Sequence, residues 1–474
     1  MKTRRIIAHI LFAIAALLAA EAVRCWVHNT PALAWWVIAA DHRRLATLVG
    51  FAGFACALAH TLRSPVPGRL PAWHFFLYVF ALSLTNGRYV GSGDCEPARL
   101  LPFVALREHR LTFEGSSQTP FDPAQPPKEY VRSGERVASK FPVATALLAI
   151  PVYLPAAMGS FSPAREMPFE LERLAAAMLA ALSLCFLRPV FRRFSDSDAA
   201  ALIVCALYAF GTSFLTIFSK ALWQHTGAAF GLSLAMYGLF VSPPRTRGLL
   251  VGLGAGLALA CRPVDIVLSA GVLLALWLTD RRQAVVAAAL TTACGAAVAL
   301  YNFVIFGAVT ASGYGTEAGA FTAPFAEGFA GVLFSPARGL LLYTPALGFA
   351  GVAMYRAHDK ATMRVLIATS LAFIVLMAKW WCWWGGYCAD SRMVCDILPL
   401  LSVGLALAWQ STPWRRYFQL ACAWGIAVHV LLAYVGGNAY VRGLFWAVLE
   451  GPWDLRSFAP ITYLLGIFLR YTPS

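Results

Sequence analysis

The chain alternates long apolar runs with short polar connections, and the runs approach the roughly 20 residues a helix needs to cross a ~30 Å hydrocarbon layer. They fall at 1–22, 44–62, 72–87, 169–190, 197–215, 221–241, 247–262, 264–279, 284–306, 338–355, 361–379, 393–410, 416–436 and 457–470. This pattern predicts an all-α membrane protein, a bundle of about fourteen transmembrane helices within a range of about eleven to fourteen. The first run follows Lys2, Arg4 and Arg5 and ends in small residues, so it fits either a cleaved signal peptide or an uncleaved span with its amino end inside. The later topology is the same in both cases. A further apolar stretch, 141–158, is assigned to the outer interface as an amphipathic or juxtamembrane helix, because counting it as a span reverses every later loop. Arg43 and Arg44 fall outside in this topology, which makes 31–40 a candidate re-entrant segment.

Composition sharpens the picture. Of the residues, 59% are hydrophobic and 13% charged, against roughly 45–50% and ~25% in an ordinary soluble domain, which excludes a soluble enzyme. A net charge of +15 in a soluble chain points to nucleic acid. Here Arg63, Arg69, Arg188, Arg192, Arg193, Arg245, Arg247, Arg281, Arg282, Arg356, Lys360, Arg364, Arg415 and Arg416 sit at the inner ends of spans, where they set orientation. No nucleic acid is expected, and membrane lipids or a lipid phosphate are the better partners.

The connection 88–140 breaks the pattern, with 15 of its 53 residues charged. A connection this long is usually functional or disordered. With the interfacial helix it forms a large outer loop, 88–168, in which 97–110 reads as helical and 120–135 as flexible. A second outer loop, 307–337, is rich in Gly and aromatic residues. No internal repeat stands out, and 1–474 reads as a single transmembrane domain. Of the eleven cysteines, Cys56, Cys185, Cys205, Cys261, Cys294 and Cys422 lie in apolar runs as small hydrophobes, while Cys25, Cys95, Cys382, Cys388 and Cys395 fall near one face, where disulfides form if that face is oxidising.

Four groups carry candidate chemistry. The first is Gly91-Ser92-Gly93-Asp94-Cys95-Glu96-Pro97, ahead of a helix that Pro97 is suited to start. A helix N-terminus favours ionised Asp94, and an ionised carboxylate accepts a proton from a hydroxyl nucleophile; capping the helix is the plainer role. Glu96 shares a face with Asp94 only in extended backbone, and the two are the candidate ligands of a divalent cation such as Mg or Mn. In the second group Ser335 caps and Pro336 opens a helix beside Arg338, which is either an anion site or an interfacial Arg that snorkels. The third runs from Lys379 to Arg392. Its four Trp residues form an aromatic belt or, with Trp383, Trp384 and Tyr387, a sugar-stacking wall. Asp390 and Arg392 either pair with each other, or Lys379 and Arg392 hold a phosphate. The fourth holds Lys220, His225, Arg262 and Asp265 near outer span ends, where polar groups face protein or water. His225 reads as a structural histidine or a substrate contact. Arg99 and Lys140 complete the candidate substrate- and phosphate-binding set. No His-Glu-x-x-His, Gly-x-Ser-x-Gly or Walker loop is present, so zinc proteolysis, serine hydrolysis and NTP-driven work lack support.

Taken in order, these segments resemble the GT-C superfamily of polytopic glycosyltransferases, particularly bacterial members related to the protein mannosyltransferases and the aminoarabinose transferase that modifies lipid A. Gly93-Asp94-Cys95-Glu96 resembles the superfamily's loop acid. Ser139-Lys140-Phe141-Pro142, followed by Pro168-Phe169-Glu170-Leu171-Glu172-Arg173, resembles the pattern after that acid. Gly331-Val332-Leu333-Phe334-Ser335-Pro336-Ala337-Arg338-Gly339 and Trp383-Trp384-Gly385-Gly386-Tyr387 resemble later segments. After the Trp-Gly-Gly segment this chain has Ala389-Asp390-Ser391-Arg392 in place of Gly-Pro-Arg, so only Arg392 is carried over.

The resemblance implies a GT-C-like bundle in the bacterial inner membrane with its active site facing the periplasm. It implies a polyprenyl-phosphate-linked hexose or pentose donor, a lipid, glycan or protein acceptor, and an inverting displacement. Asp94 and Glu96 become the catalytic acids, with Asp94 as general base. Arg338 becomes the first-choice phosphate ligand, backed by Lys220, Arg262, Lys379 and Arg392. One base suffices because a phosphate leaving group needs no protonation. The rival readings are a lipid-linked sugar flippase or transporter, a glycan polymerase or ligase acting on polyprenyl-diphosphate-linked chains, and a non-catalytic scaffold.

Overall fold

A computed structural model of the protein describes residues 70–86, 93–122, 124–357, 359–386, 390–411 and 413–435, with 452, 453, 455 and 458. The expected spans 1–22 and 44–62, the segment 31–40 and, but for Phe458, the span 457–470 lie outside the described residues. Helix α1 (Ala72–Leu84) leads to the turn Gly93–Cys95 and to α2 (Glu96–Glu108), whose Pro97 sits in the first turn, where its missing N–H has no partner to lose. An antiparallel hairpin follows, β1 (Tyr130–Ser133) and β2 (Arg136–Ser139), with Ser133 opposite Arg136 across Gly134-Glu135. This corrects the expected flexibility of 120–135. Gly134 takes φ +59°, which a glycine adopts at no steric cost, and Tyr130, Val137 and Phe113 bury against α2. Helix α3 (Ala144–Met158) forms within the apolar stretch 141–158.

The bundle proper begins with α4 (Phe169–Arg193) and α5 (Asp198–Gly211), the latter capped by Ser197, whose Oγ accepts from the Ala200 N–H. A π-turn (Phe214–Phe218) precedes α6 (Gln224–Phe240), then α7 (Pro244–Cys261) and, after a short turn at Pro263–Asp265, α8 (Ile266–Thr279). There follow α9 (Arg281–Phe306), α10 (Phe325–Phe334), the single turn α11 (Leu340–Tyr343), α12 (Ala346–Tyr355) and α13 (Lys360–Ala378). The last described elements are the 3-10 segment Arg392–Ile397, α14 (Leu398–Gln410) and α15 (Arg415–Val435).

The chain is mostly helical, and among the described residues five helical stretches are long and apolar enough to cross a membrane: Phe169–Arg193, Arg281–Phe306, Lys360–Ala378, Arg392–Gln410 and Arg415–Ala433. That fits an all-α membrane protein but not a count of about fourteen spans. Several expected spans are interrupted. The run 197–215 ends as a helix at Gly211, so α5 has 14 residues and rises only about 21 Å, short of the ~30 Å layer. The run 338–355 breaks at Thr344-Pro345, because Pro345 has no N–H to continue the ladder.

Packing explains which helices lie inside. On α6, 14 of 17 residues are buried, so it is the centre of the bundle. Glycines set its distance from α7: a Cβ on Gly254 would lie 2.5 Å from the Ala235 backbone N. On another face of α7, Gly248, Gly252 and Gly256 recur every fourth residue against α9, an arrangement that lets helix backbones approach closely in a membrane. In contrast α9 buries only Ala284, Ala287 and Thr291 of its 26 residues, and leaves Val285, Leu300 and Phe303 more than half exposed. Among the described residues nothing covers that apolar face, which suits it to lipid.

Candidate functional site

At one end of the bundle the connections 88–168 and 307–337 and several helix ends line a cavity of about 350 Å³. Asp94 comes from the turn before α2, Lys128 and Glu129 from the approach to β1, and Lys140 from the end of β2. Gln224 and His225 start α6, Arg262 closes α7, Tyr314 and Glu317 come from the second outer loop, and Trp380, Trp381 and Arg392 from the connection after α13.

Asp94 is the best-placed acid. Its side chain is 39% exposed, and its Oδ2 accepts from Arg392 Nη1 at 2.7 Å. Arg392 in turn donates Nη2 to the Gly385 carbonyl at 2.7 Å and lies 4.4 Å over the Trp223 ring. Gly385 and Gly386 both have positive φ, +77° and +64°, which turns successive carbonyls toward the arginines. Arg338 clamps the same turn. Its guanidinium donates to the carbonyls of Trp384 (3.0 Å), Gly386 (3.0 Å) and Ala337 (2.6 Å).

Several expected roles are corrected by this geometry. Arg338 is 3% exposed and spends its donors on backbone rather than lining the cavity. The helix expected at Pro336 begins only at Leu340 and has four residues, so no helix N-terminus faces an anion there. Asp390 does not pair its side chain with Arg392: it is buried, takes Thr216 Oγ1 and the Ser391 N–H, and lies 3.5 Å from His429. Burial opposes its ionisation, but His429, Thr216 and the Ser391 N–H hold its carboxyl below the usual carboxylate range. Lys379 donates to the Ala323 carbonyl at 2.8 Å and Lys220 to the Ala433 carbonyl at 3.1 Å, so both act as struts outside the cavity lining. Arg99 is a third strut, 2.5 Å from buried Glu172, which also accepts from the Leu222 N–H. Trp383 is 2% exposed and packs on Gly331, and Trp384 stacks edge-on against it, so the aromatic wall of the cavity is Trp380 and Trp381 instead. Tyr387 lies outside the described residues.

The two motif acids part company. Glu96 accepts from the Tyr130 hydroxyl at 3.2 Å beside the hairpin and does not line the cavity; burial raises its pKa above the ordinary value. Asp94 and Glu96 thus do not form a cation site together. Nearer the bundle, His225, Cys395 and Asp396 bring one ligand atom each within 4.8 Å of the others. The Arg262 guanidinium already binds Asp396 and lies 3.5 Å from Asp265, so positive charge fills the place a cation needs. Cys95, Cys382 and Cys395 are free thiols, which removes the disulfides expected among them; Cys25 and Cys388 lie outside the described residues.

Lys140 remains a cavity cation, paired with Glu317 at 2.7 Å, and Gln224 donates to Tyr314 at 2.9 Å. Sequence reasoning missed Glu129, Glu317 and Asp396. Asp396 had a signal: an acid inside the apolar run 393–410 marks a functional or paired position. Glu129 had none, since only the fold sets its carboxylate against Gly93, where a Cβ would lie 2.0 Å from Oε1. Comparison of the chain with protein families, curated proteins and solved structures finds no match.

Proposed function

We propose that the protein is a membrane glycosyltransferase of GT-C type, a helical bundle in a bacterial inner membrane with the cavity facing the periplasm. It moves a sugar from a polyprenyl-phosphate carrier to an acceptor hydroxyl. The observation that carries this reading is Asp94: a solvent-reachable carboxylate on the wall of a polar cavity, held by Arg392, at the loop-rich end of an apolar bundle.

In this mechanism the acceptor oxygen attacks the anomeric carbon as the bond to the phosphate oxygen breaks. The bonding pair leaves with the phosphate, and Asp94 takes the hydroxyl proton. The donor phosphate competes with Asp94 for Arg392, so donor binding frees the base as it neutralises the leaving group, with Lys128 and Lys140 adding positive charge at the cavity wall. Inversion follows from attack opposite the leaving group.

The test is transfer of labelled sugar from polyprenyl-phosphate donors by purified wild type and Asp94→Asn. The expected result is a loss of about 10²–10⁴-fold with the fold intact. Undiminished turnover in Asp94→Asn, or movement of the lipid-linked sugar across liposomes without transfer, overturns the reading.

A further inference from the structure

Building on that transferase reading, we propose that His225 accepts a hydrogen bond from a hydroxyl of the substrate sugar, and that Asp396 is the positioning residue that holds its ring in the tautomer able to do so. His225 opens α6 and Asp396 lies in the 3-10 segment before α14, with side chains 2% and 0% exposed. The imidazole Nδ1 lies 2.9 Å from Asp396 Oδ2 and 3.2 Å from Oδ1. An ionised carboxylate only accepts, so Nδ1 carries the proton and Nε2 keeps its lone pair. Asp396 also binds the Arg262 guanidinium, which supplies the positive charge it needs and leaves the ring to serve as a neutral donor.

The other edge of the ring is open. His225 lines the cavity, and among the described residues its ring makes hydrogen bonds only through Nδ1. Its lone pair therefore faces cavity space. A phosphate, anionic and rich in acceptors, is repelled there, so His225 does not serve as a phosphate ligand. What suits a bare imidazole nitrogen is an O–H donor, and a sugar brings several. Of the cavity carboxylates, Asp94 takes the acceptor proton in that reading, Glu317 is bound by Lys140 and Glu129 lies against Gly93, and His225 adds to them a neutral acceptor for a sugar hydroxyl. A buried acceptor of this kind discriminates strongly, because an analogue lacking the hydroxyl leaves it unpaired.

Full-length protein in lipid nanodiscs tests this with radiolabelled polyprenyl-phosphate hexoses and pentoses and, for whichever sugar binds, its monodeoxy analogues. The variants are His225→Asn and His225→Gln. The Asn amide overlies Nδ1 and keeps the contact with Asp396 but stops short of the cavity, whereas the Gln amide reaches the Nε2 position. Wild type is expected to bind one deoxy analogue about 10-fold more weakly than the parent sugar. His225→Asn is expected to bind the parent as weakly as that analogue and to lose the preference, and His225→Gln to recover part of it. A His225→Asn protein with wild-type affinity and preference overturns the role of His225 while the transferase reading stands. Wild-type protein that binds none of these lipid-linked sugars overturns both.

Discussion

Arg338 and Arg392 reach the same Gly-Gly turn with different consequences. Arg338 satisfies three carbonyls and is buried, so Arg338→Ala leaves those acceptors unpaired and is expected to destabilise the fold by roughly 3 kcal/mol. Thermal unfolding in detergent checks this, and an unchanged melting temperature with a selective loss of donor affinity would return Arg338 to the role of phosphate ligand. Glu96 gives the matching contrast with Asp94. Burial raises its carboxyl above the ordinary value, so the fold disfavours its charge; the resulting penalty is absent in acid and grows as pH rises above the unfolded value of about 4. Glu96→Gln removes a charge and keeps an acceptor for Tyr130. It is therefore expected to unfold no earlier than wild type at pH 8 and to keep its turnover, and loss of turnover would restore Glu96 to the catalytic group. The motif around residue 94 was legible because a helix start and an acid are local. Which acid faced the cavity was not, since the hairpin that takes Glu96 lies more than thirty residues further on.

Long, uninterrupted apolar runs are the elements that the chain declares most openly, and α4, α9, α13 and α15 fall within a few residues of their expected bounds. Where a run carries Gly-Thr or Thr-Pro the hydropathy stays high while the backbone turns, which is why 197–215 and 338–355 read as spans yet fold as broken helices. The hairpin was hidden for the opposite reason, being short and charged, although Gly134 between alternating residues is a turn signal. The glycine stripe on α7 is a feature of packing rather than of hydropathy. A Cβ at Gly252 would lie 2.7 Å from the Ala287 carbonyl, so Gly252→Leu must push α7 and α9 apart and is expected to cost about 1–3 kcal/mol. Gly348→Leu, on α12 with nothing within 4 Å of its Cβ, serves as the control and leaves the melting temperature unchanged. Equal effects in the two variants would mean that α7 and α9 do not meet at this stripe.

At the scale of the whole molecule, among the described residues the arginine-bearing turns and the cavity lie at opposite ends of the same helices. The chain reverses at Arg192-Arg193, at Arg245 and Arg247, at Arg281-Arg282, near Arg356 and Lys360, and at Arg415-Arg416. The cavity is built where α6 and α14 begin and α7 and α13 end, one helix length away from those turns. Short cationic connections are retained on the cytoplasmic side. The separation supports the proposed orientation, in which the cavity opens on the outer side, where a lipid-linked sugar would reach it. Two exposed positions report the orientation: Thr246 in an arginine-bearing turn and Thr310 in the second outer loop. In intact cells a membrane-impermeant maleimide is expected to label Thr310→Cys above the wild-type signal. Thr246→Cys is expected to react only after permeabilisation. The reverse pattern would put the cavity in the cytoplasm, where a nucleotide-activated sugar rather than a carrier-linked one would be the donor at hand, and the proposed reaction would fall with the topology.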